Sequence, residues 1–246
     1  MAINVNTVYT TVLSILNKEQ RGYITPEEFN KLATQVQLDI FENYFEDLNQ
    51  QLRVPQADSE YANRQKNIDN CISIFKTIGN TTYNVAGGYF LPPSDLHRIG
   101  TVIYKDEKEL QRVERNDFLT INLSPLTKPT TQFPVYLYEQ VIQGTGGANT
   151  GETHIFVKPT TIVTAADITV SYIRKPADVV WGYQQLGGGT WTSGPYIYNS
   201  ATSTQFELDN TEQTEVILRI LAYAGVVIRD PQIVQAASQA VQSEEV

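Results

Sequence analysis

A run of apolar residues from Phe29 to Leu52 constrains this chain more than any other feature. Phe29, Leu32, Val36, Ile40, Phe41, Tyr44, Phe45, Leu48 and Leu52 recur at three- and four-residue steps, with Glu27, Lys31, Gln35, Asp39 and Glu46 between them. That spacing puts the apolar residues on one face of a long helix, which must find another apolar surface to cover it. The start of the helix is written as clearly: Thr25 is an N-cap, Pro26 suits the first helical position and Glu28 closes a capping box. The preceding segment repeats the pattern on a smaller scale, with Val8, Val12 and Ile15 on one stripe and Asn4 or Asn6 available as the cap. A helical hairpin opens the chain.

The connection inside that hairpin imitates a calcium-binding EF-hand loop. Counting from Asn17, with Glu19 third, Gly22 and Glu28 fall at the sixth and twelfth positions, where the loop needs a glycine and a bidentate glutamate. The fifth position is Arg21, a fixed cation where calcium requires an oxygen. We expect Asn17, Glu19, Arg21 and Glu28 to form a turn that holds no metal; a calcium sensor would have to tolerate Arg21.

From about residue 70 the helical period gives way to alternation and to Thr, Val, Tyr, Ile, Gly and Pro. A hairpin is expected over 101–113 with Lys105–Lys108 at its tip, and a second between Val135–Tyr138 and His154–Val157, joined by the glycine-rich stretch Gly144 to Gly151. Further strands fit Ile168–Ile173, Tyr196–Tyr198 and Gln205–Leu208, separated by turn-rich runs such as Pro92–Asp95 and Gly187–Gly189. Helical spacing returns after Asn210: Val216, Ile217, Ile220, Leu221, Ala224, Val227 and Ile228 form one face behind Asp209, Asn210 and Thr211. A last helix follows Pro231, with Ile233, Val234, Ala237, Ala240 and Val241 on one side. The expected fold class is α+β, with N- and C-terminal helices (1–70 and 211–246) in one bundle and an antiparallel β-sandwich or partly open barrel (71–210) inserted between them.

Charge and cysteine content narrow the function. The 246 residues carry 18 Lys and Arg against 27 Asp and Glu, a net charge of −9, which argues against a nucleic-acid grip built on clustered cations. Cys71 has no second cysteine to pair with, as befits a reducing cytoplasm. The chain offers no apolar run of membrane-spanning length and no secretory leader pattern, so the glycosylation-like triplets at Asn80 and Asn122 are read as chance.

Chemistry is hard to find. His97 and His154 belong to no spaced metal motif. Cys71 sits beside Ile72 and Ile74, which favours an inert thiol over an activated one. Gly144-Thr145-Gly146-Gly147 lacks the Gly-Lys-Ser/Thr ending of a phosphate loop. We therefore expect no catalytic residue and no cofactor. Two glycine-rich stretches remain as candidates for subunit or partner contact: Gly144, Gly146, Gly147 and Gly151, and the aromatic segment with Trp181, Tyr183, Trp191, Tyr196 and Tyr198. The aromatics equally suit a folded core, or a surface that stacks on sugars.

Met1 to Val8, the turn from Asn17 to Phe29 and the long helix after it resemble the N-termini of virion proteins from crAss-like and related Bacteroidetes or marine phages. The stretch Tyr89-Phe90-Leu91-Pro92-Pro93-Ser94-Asp95-Leu96, the run from Asp167 to Pro176 and the closing helix from Glu212 to Arg229 are similar to tail-tubular or head-tail adaptor proteins of short-tailed phages. The resemblance covers most of the chain and rests on the order of these parts. It implies a homo-oligomeric ring, commonly of twelve subunits, in the virion neck between portal and tail, made in the host bacterial cytoplasm and contacting the portal and adjacent tail proteins. DNA would pass through its lumen without specific binding, and an acidic lining would favour that passage. A tail-fibre or carbohydrate-binding module is the alternative, and an enzyme the second.

Overall fold

The computed structural model describes residues 2–18, 23–53, 59–105, 107–140, 153–185, 196–227 and 239. The chain forms two compact units, Met1–Ile74 with Pro176–Val246, and Phe75–Lys175. The expected insertion is thus present, but its second boundary falls at Lys175 rather than at residue 210. Residues 176–210 belong with the helices. The helices are α1 (Val5–Lys18), α2 (Pro26–Arg53), α3 (Ser59–Ser73), α4 (Arg115–Thr120) and α5 (Gln213–Val227).

In the first unit, α5 packs on both α1 and α2, and α3 packs on α2. The starts of α1 and α2 follow the local chemistry. Asn4 Oδ1 accepts from the N–H groups of Asn6 and Thr7 at 2.8 and 3.2 Å and so caps α1. At α2 the capping box closes reciprocally: Glu28 N–H donates to Thr25 Oγ1 at 3.3 Å, while Thr25 N–H donates to Glu28 Oε2 at 2.9 Å. The buried stripe of α2 is Phe29, Ala33, Val36, Ile40, Phe41, Tyr44 and Phe45. On α1 the expected stripe is corrected: Val8 and Val12 are buried, but the next buried residue is Leu16, and Ile15 faces outward. The step of four from Val12 keeps to the core side where the step of three leaves it. The helix expected over Ile233–Val241 lies outside the described residues.

Residues 177–181 and 204–208 lie along α2 and are held there by a polar ladder. Asn30, Thr34 and Gln37, one turn apart on α2, hydrogen-bond the backbone of Trp181, Val179 and Ala177. Alternate residues of an extended chain repeat about every 6.6 Å, close to the ~6 Å rise over four helical residues, so the helix serves the strand as a substitute edge. Gln37 is buried and double-handed: its amide nitrogen Nε2 donates to Ala177 O at 2.7 Å, and its Oε1 accepts from Glu207 N–H at 2.9 Å. The segment expected as a strand over Gln205–Leu208 is not one; isolated pairings flank it, Thr204 with Val180 and Asp209 with Ala2.

The second unit contains β1 (Lys76–Asn80), β2 (Thr82–Asn84), β3 (Tyr89–Leu91), β4 (Leu96–Tyr104), β5 (Lys108–Glu109), β6 (Gln111–Arg112), β7 (Val135–Glu139), β8 (His154–Lys158) and β9 (Ile168–Arg174). They form a four-stranded sheet in the order β1-β9-β4-β5 and a five-stranded sheet in the order β2-β3-β8-β7-β6. The expected β7–β8 hairpin is present, whereas the one expected over 101–113 is cut short: β4 pairs with β5 at Ile103–Glu109 and Tyr104–Lys108, and Gln111–Arg112 pair in the other sheet. The expectation of a purely antiparallel domain is corrected by β6, which pairs with β7 in parallel. The reason is Leu110: it is buried, so the chain leaves β5 in one sheet, turns its side chain into the core and enters the other sheet as β6. Val102, Tyr104, Ile168, Val170 and Tyr172 from one sheet share a single core with Phe90, Tyr136, Ile155 and Val157 from the other. The arrangement is that of a sandwich. Gly100 sits at a register shift between β4 and β9, where a Cβ would come within 2.8 Å of Ser171 O.

Candidate interaction surface

The aromatic segment expected to meet a partner begins inside the helical unit. Trp181 is only 4% exposed. Its ring lies 4.3 Å from that of Tyr9, which in turn meets Phe29 edge-on at 4.8 Å, and its Nε1 donates to Asn6 Oδ1 at 3.1 Å. The indole thus joins α1 to α2 and has no free face for a sugar or a partner. Beyond it, β10 (Tyr183–Gln185) and β11 (Tyr196–Tyr198) form a two-stranded hairpin. Tyr183 and Tyr198 approach Trp181 at 6.0 and 5.8 Å, and Tyr196 meets Tyr183 at 5.0 Å. These three rings are half-buried. Burial, followed by the Glu27 carboxylate, raises the Tyr183 pKa, and burial raises that of Tyr9 further, so the phenols stay neutral. Gly182 is required here, because a Cβ would stand 2.2 Å from Thr202 Oγ1. Trp191, Gly144, Gly146, Gly147 and Gly151 lie outside the described residues, as do Glu19 and Arg21. Asn17 is exposed, and the Glu28 carboxylate is turned to Thr25.

Among the described residues, four strongly exposed large apolar side chains lie on one connection to which the sequence pattern assigns nothing. Between β6 and β7 the chain runs through α4, which has no buried residue, and then through a series of turns. Leu119 is 61% exposed, Leu123 81%, Leu126 98% and Phe133 79%. This arm is nevertheless well bonded within itself. Ile121 N–H donates to Asp117 O, Leu123 N–H to Thr120 O, Lys128 N–H to Ser124 O, and Thr127 Oγ1 to Ile121 O at 3.0 Å. Its base is tied to the sheet: Arg115 Nε donates to Glu139 Oε2 at 2.7 Å, and Lys158 Nζ lies 4.9 Å from the centre of the Phe118 ring. Pro129 and Pro134 are buried where it returns. The backbone is therefore held in one shape while the leucines point away from it. The arm's sequence signal was the length of unpatterned chain between two strands, with Pro125 and Pro129 among its leucines; long connections of that kind tend to be functional.

Two clefts open on the β unit. One of about 570 Å³ lies at the base of the arm and is lined by Arg112, Glu114, Arg115, Tyr138 and Glu139, among others; in it Arg115 is bonded to Glu139 and Arg112 lies 5.7 Å from the Tyr138 ring. The other, about 470 Å³, is lined by Thr82, Leu91, Pro93, Ser94, Leu96 and Thr153, among others. Beside it, Tyr172 OH donates to Asp95 Oδ1 at 2.8 Å, and burial together with that bond pushes the phenol up to about 12.

The groups weighed as chemical candidates are dispersed. His154 is buried and stacked on Tyr89 at 4.0 Å, and its Nδ1 has no hydrogen-bond partner among the described residues. His97 lies on β4 beside Arg98. Burial first, and then the Glu212 and Asp209 carboxylates, push the Cys71 thiol up, away from the reactive thiolate. Among the described residues no group of three or more His, Cys, Asp or Glu is placed to hold a metal ion, and no helix is long and apolar enough to cross a membrane. No protein-family model matches the chain, and comparison with curated proteins finds no match.

Proposed function

We propose that this chain is a structural virion protein that forms a head-to-tail ring in the neck of a short-tailed phage, between portal and tail. The observation that carries the reading is the arm after β6. A backbone-bonded projection whose large apolar side chains face water is unfavourable in an isolated subunit and favourable once a partner covers it. A helical unit with its own core and a β unit bearing such an arm suit a repeating building block. The resemblance supplies the place in the virion, the count of twelve and the portal and tail partners. The net charge of −9 suits a lumen through which DNA slides, because a cationic wall would retain phosphates through counterion release.

Light scattering and electron microscopy of the full chain, alone and with a portal protein, test the reading. A closed ring of identical subunits is expected; a monomer under both conditions would defeat it. Duplex DNA at about 50 mM salt, where electrostatic binding is strong, should not be retarded. The carbohydrate-binding alternative would use the aromatics from Trp181 to Tyr198 on an exposed surface; of these, Trp181 is withdrawn against Tyr9, while Tyr183, Tyr196 and Tyr198 are half-buried.

A further inference from the structure

We infer that the arm of one copy seats in the Leu91–Pro93–Leu96 cleft of the next copy, so that both halves of the ring contact are carried by the β unit. The inference rests on the ring reading and names the surfaces that would close it. The arm springs from β6, at one edge of the five-stranded sheet, and the cleft lies toward the other edge, lined by Thr82 of β2, Leu91 of β3, Leu96 of β4 and Thr153 just before β8. With neighbouring strands about 4.8 Å apart, the two edges of five strands stand roughly 19 Å apart. Leu126 is 98% exposed, so the arm does not fill the cleft of its own subunit. Between copies they make a heterologous contact, which repeats in one direction and closes when the rotation allows.

Shape and chemistry fit. The arm offers Leu123 and Leu126, three residues apart and both more than four-fifths exposed, and the cleft offers Leu91, Pro93 and Leu96 with a rim of Thr82, Ser94 and Thr153. The rim hydroxyls suit a contact that also covers backbone. The charges are opposite, as a contact requires: Lys128 is exposed two residues beyond Leu126, and exposed Asp95 lies beside the cleft with its Oδ1 bound to Tyr172. The area also fits a ring better than a free dimer. Four exposed apolar side chains amount to several hundred Å², whereas a stable pair needs about 800 Å² per partner. A single arm-to-cleft contact is therefore weak, and ring closure, which gives every subunit two such contacts, stabilises it.

Cysteine pairing tests this in the full chain with Cys71→Ser as background. Leu126→Cys and Ser94→Cys combined in one chain should yield, under mild oxidation, a ladder of cross-linked species running past the dimer. Each single variant should stay monomeric on the same gel, and an equimolar mixture of the two single variants should stop at the dimer. Leu126→Asp should weaken self-association at least tenfold, about what losing one buried leucine implies, with an unchanged circular dichroism spectrum. A cross-linked dimer from Leu126→Cys alone would mean that arms pair with arms, and would overturn the inference. Absence of a ladder while light scattering still shows rings would overturn the pairing and leave the ring reading standing. Absence of both ladder and assembly, with and without a portal protein, would overturn both.

Discussion

The helical unit and the arm of the β unit treat large apolar side chains in opposite ways. In the helical unit Trp181 is packed against Tyr9, its indole N–H is bonded to Asn6, and the backbone beside it is bonded to Asn30. In the arm Leu126 is 98% exposed while the backbone around it is bonded to itself. The first arrangement spends apolar surface on holding two helices and a strand together. The second leaves it available. What separates them is the presence of neighbours: residues 177–181 are bonded to α2 at three positions, whereas the arm is tied to its sheet at its base, through Arg115 and Phe118, and Leu123 and Leu126 lie exposed beyond that tie.

The sharpest way to break this comparison is to truncate each side. Trp181→Ala should cost about 3–5 kcal/mol in denaturant unfolding, the range for deleting a large buried aromatic. Leu126→Ala should change stability by less than about 0.5 kcal/mol, as a surface change does. Equal costs at the two positions would show that the arm is part of the fold.

The polar ladder comes next in size. Gln37→Leu leaves Ala177 O and Glu207 N–H without their partner, at a cost of about 1–3 kcal/mol. Gln35, bonded only to Asp39 on the exposed side, should tolerate the same change. A harmless Gln37→Leu would mean that the strand does not depend on α2 for its hydrogen bonds.

Thr25→Ala should cost about 1 kcal/mol, since it removes a cap whose hydroxyl bonds to Glu28 in both directions. The smallest effect is one of pH. The backbone N–H of Thr25, and then its hydroxyl, hold the Glu28 carboxyl below the ordinary glutamate value. A carboxylate lowered in the folded state contributes stability above its unfolded pKa and loses it as pH falls through the folded one. Glu28→Gln should therefore flatten part of the acid limb of the stability curve below the ordinary glutamate range. An unchanged acid limb would show that the capping box contributes nothing measurable in solution.

Local chemistry made the helical starts legible. Thr25, Pro26 and Glu28 act on groups within three residues of themselves, and Asn4 does the same for α1, so no distant contact was needed to read them. The β7–β8 hairpin was equally plain, because two short runs rich in β-branched and aromatic residues, Val135–Tyr138 and His154–Val157, flank a glycine-rich connection. Leu110 was not legible as the point where the chain changes sheets: one buried leucine between two short strands looks the same whether the strands are continuous or separate. Nor did Trp181 announce its neighbours, since an aromatic cluster suits a core and a surface alike. The arm was passed over for the converse reason, because leucines among prolines and threonines carry no period that marks which of them will be covered.

The sequence by itself determined the α+β class, the helical ends around an inserted β region and the caps of α1 and α2, because periodicity and capping act over a few residues. Only the tertiary structure decided that 176–210 belongs with the helices, that Asn30, Thr34 and Gln37 serve an extended segment as a strand edge, and which apolar residues face water. Those outcomes depend on pairings such as Gln37 with Ala177 and Glu207, whose partners are far apart along the chain and are brought together only when the core closes.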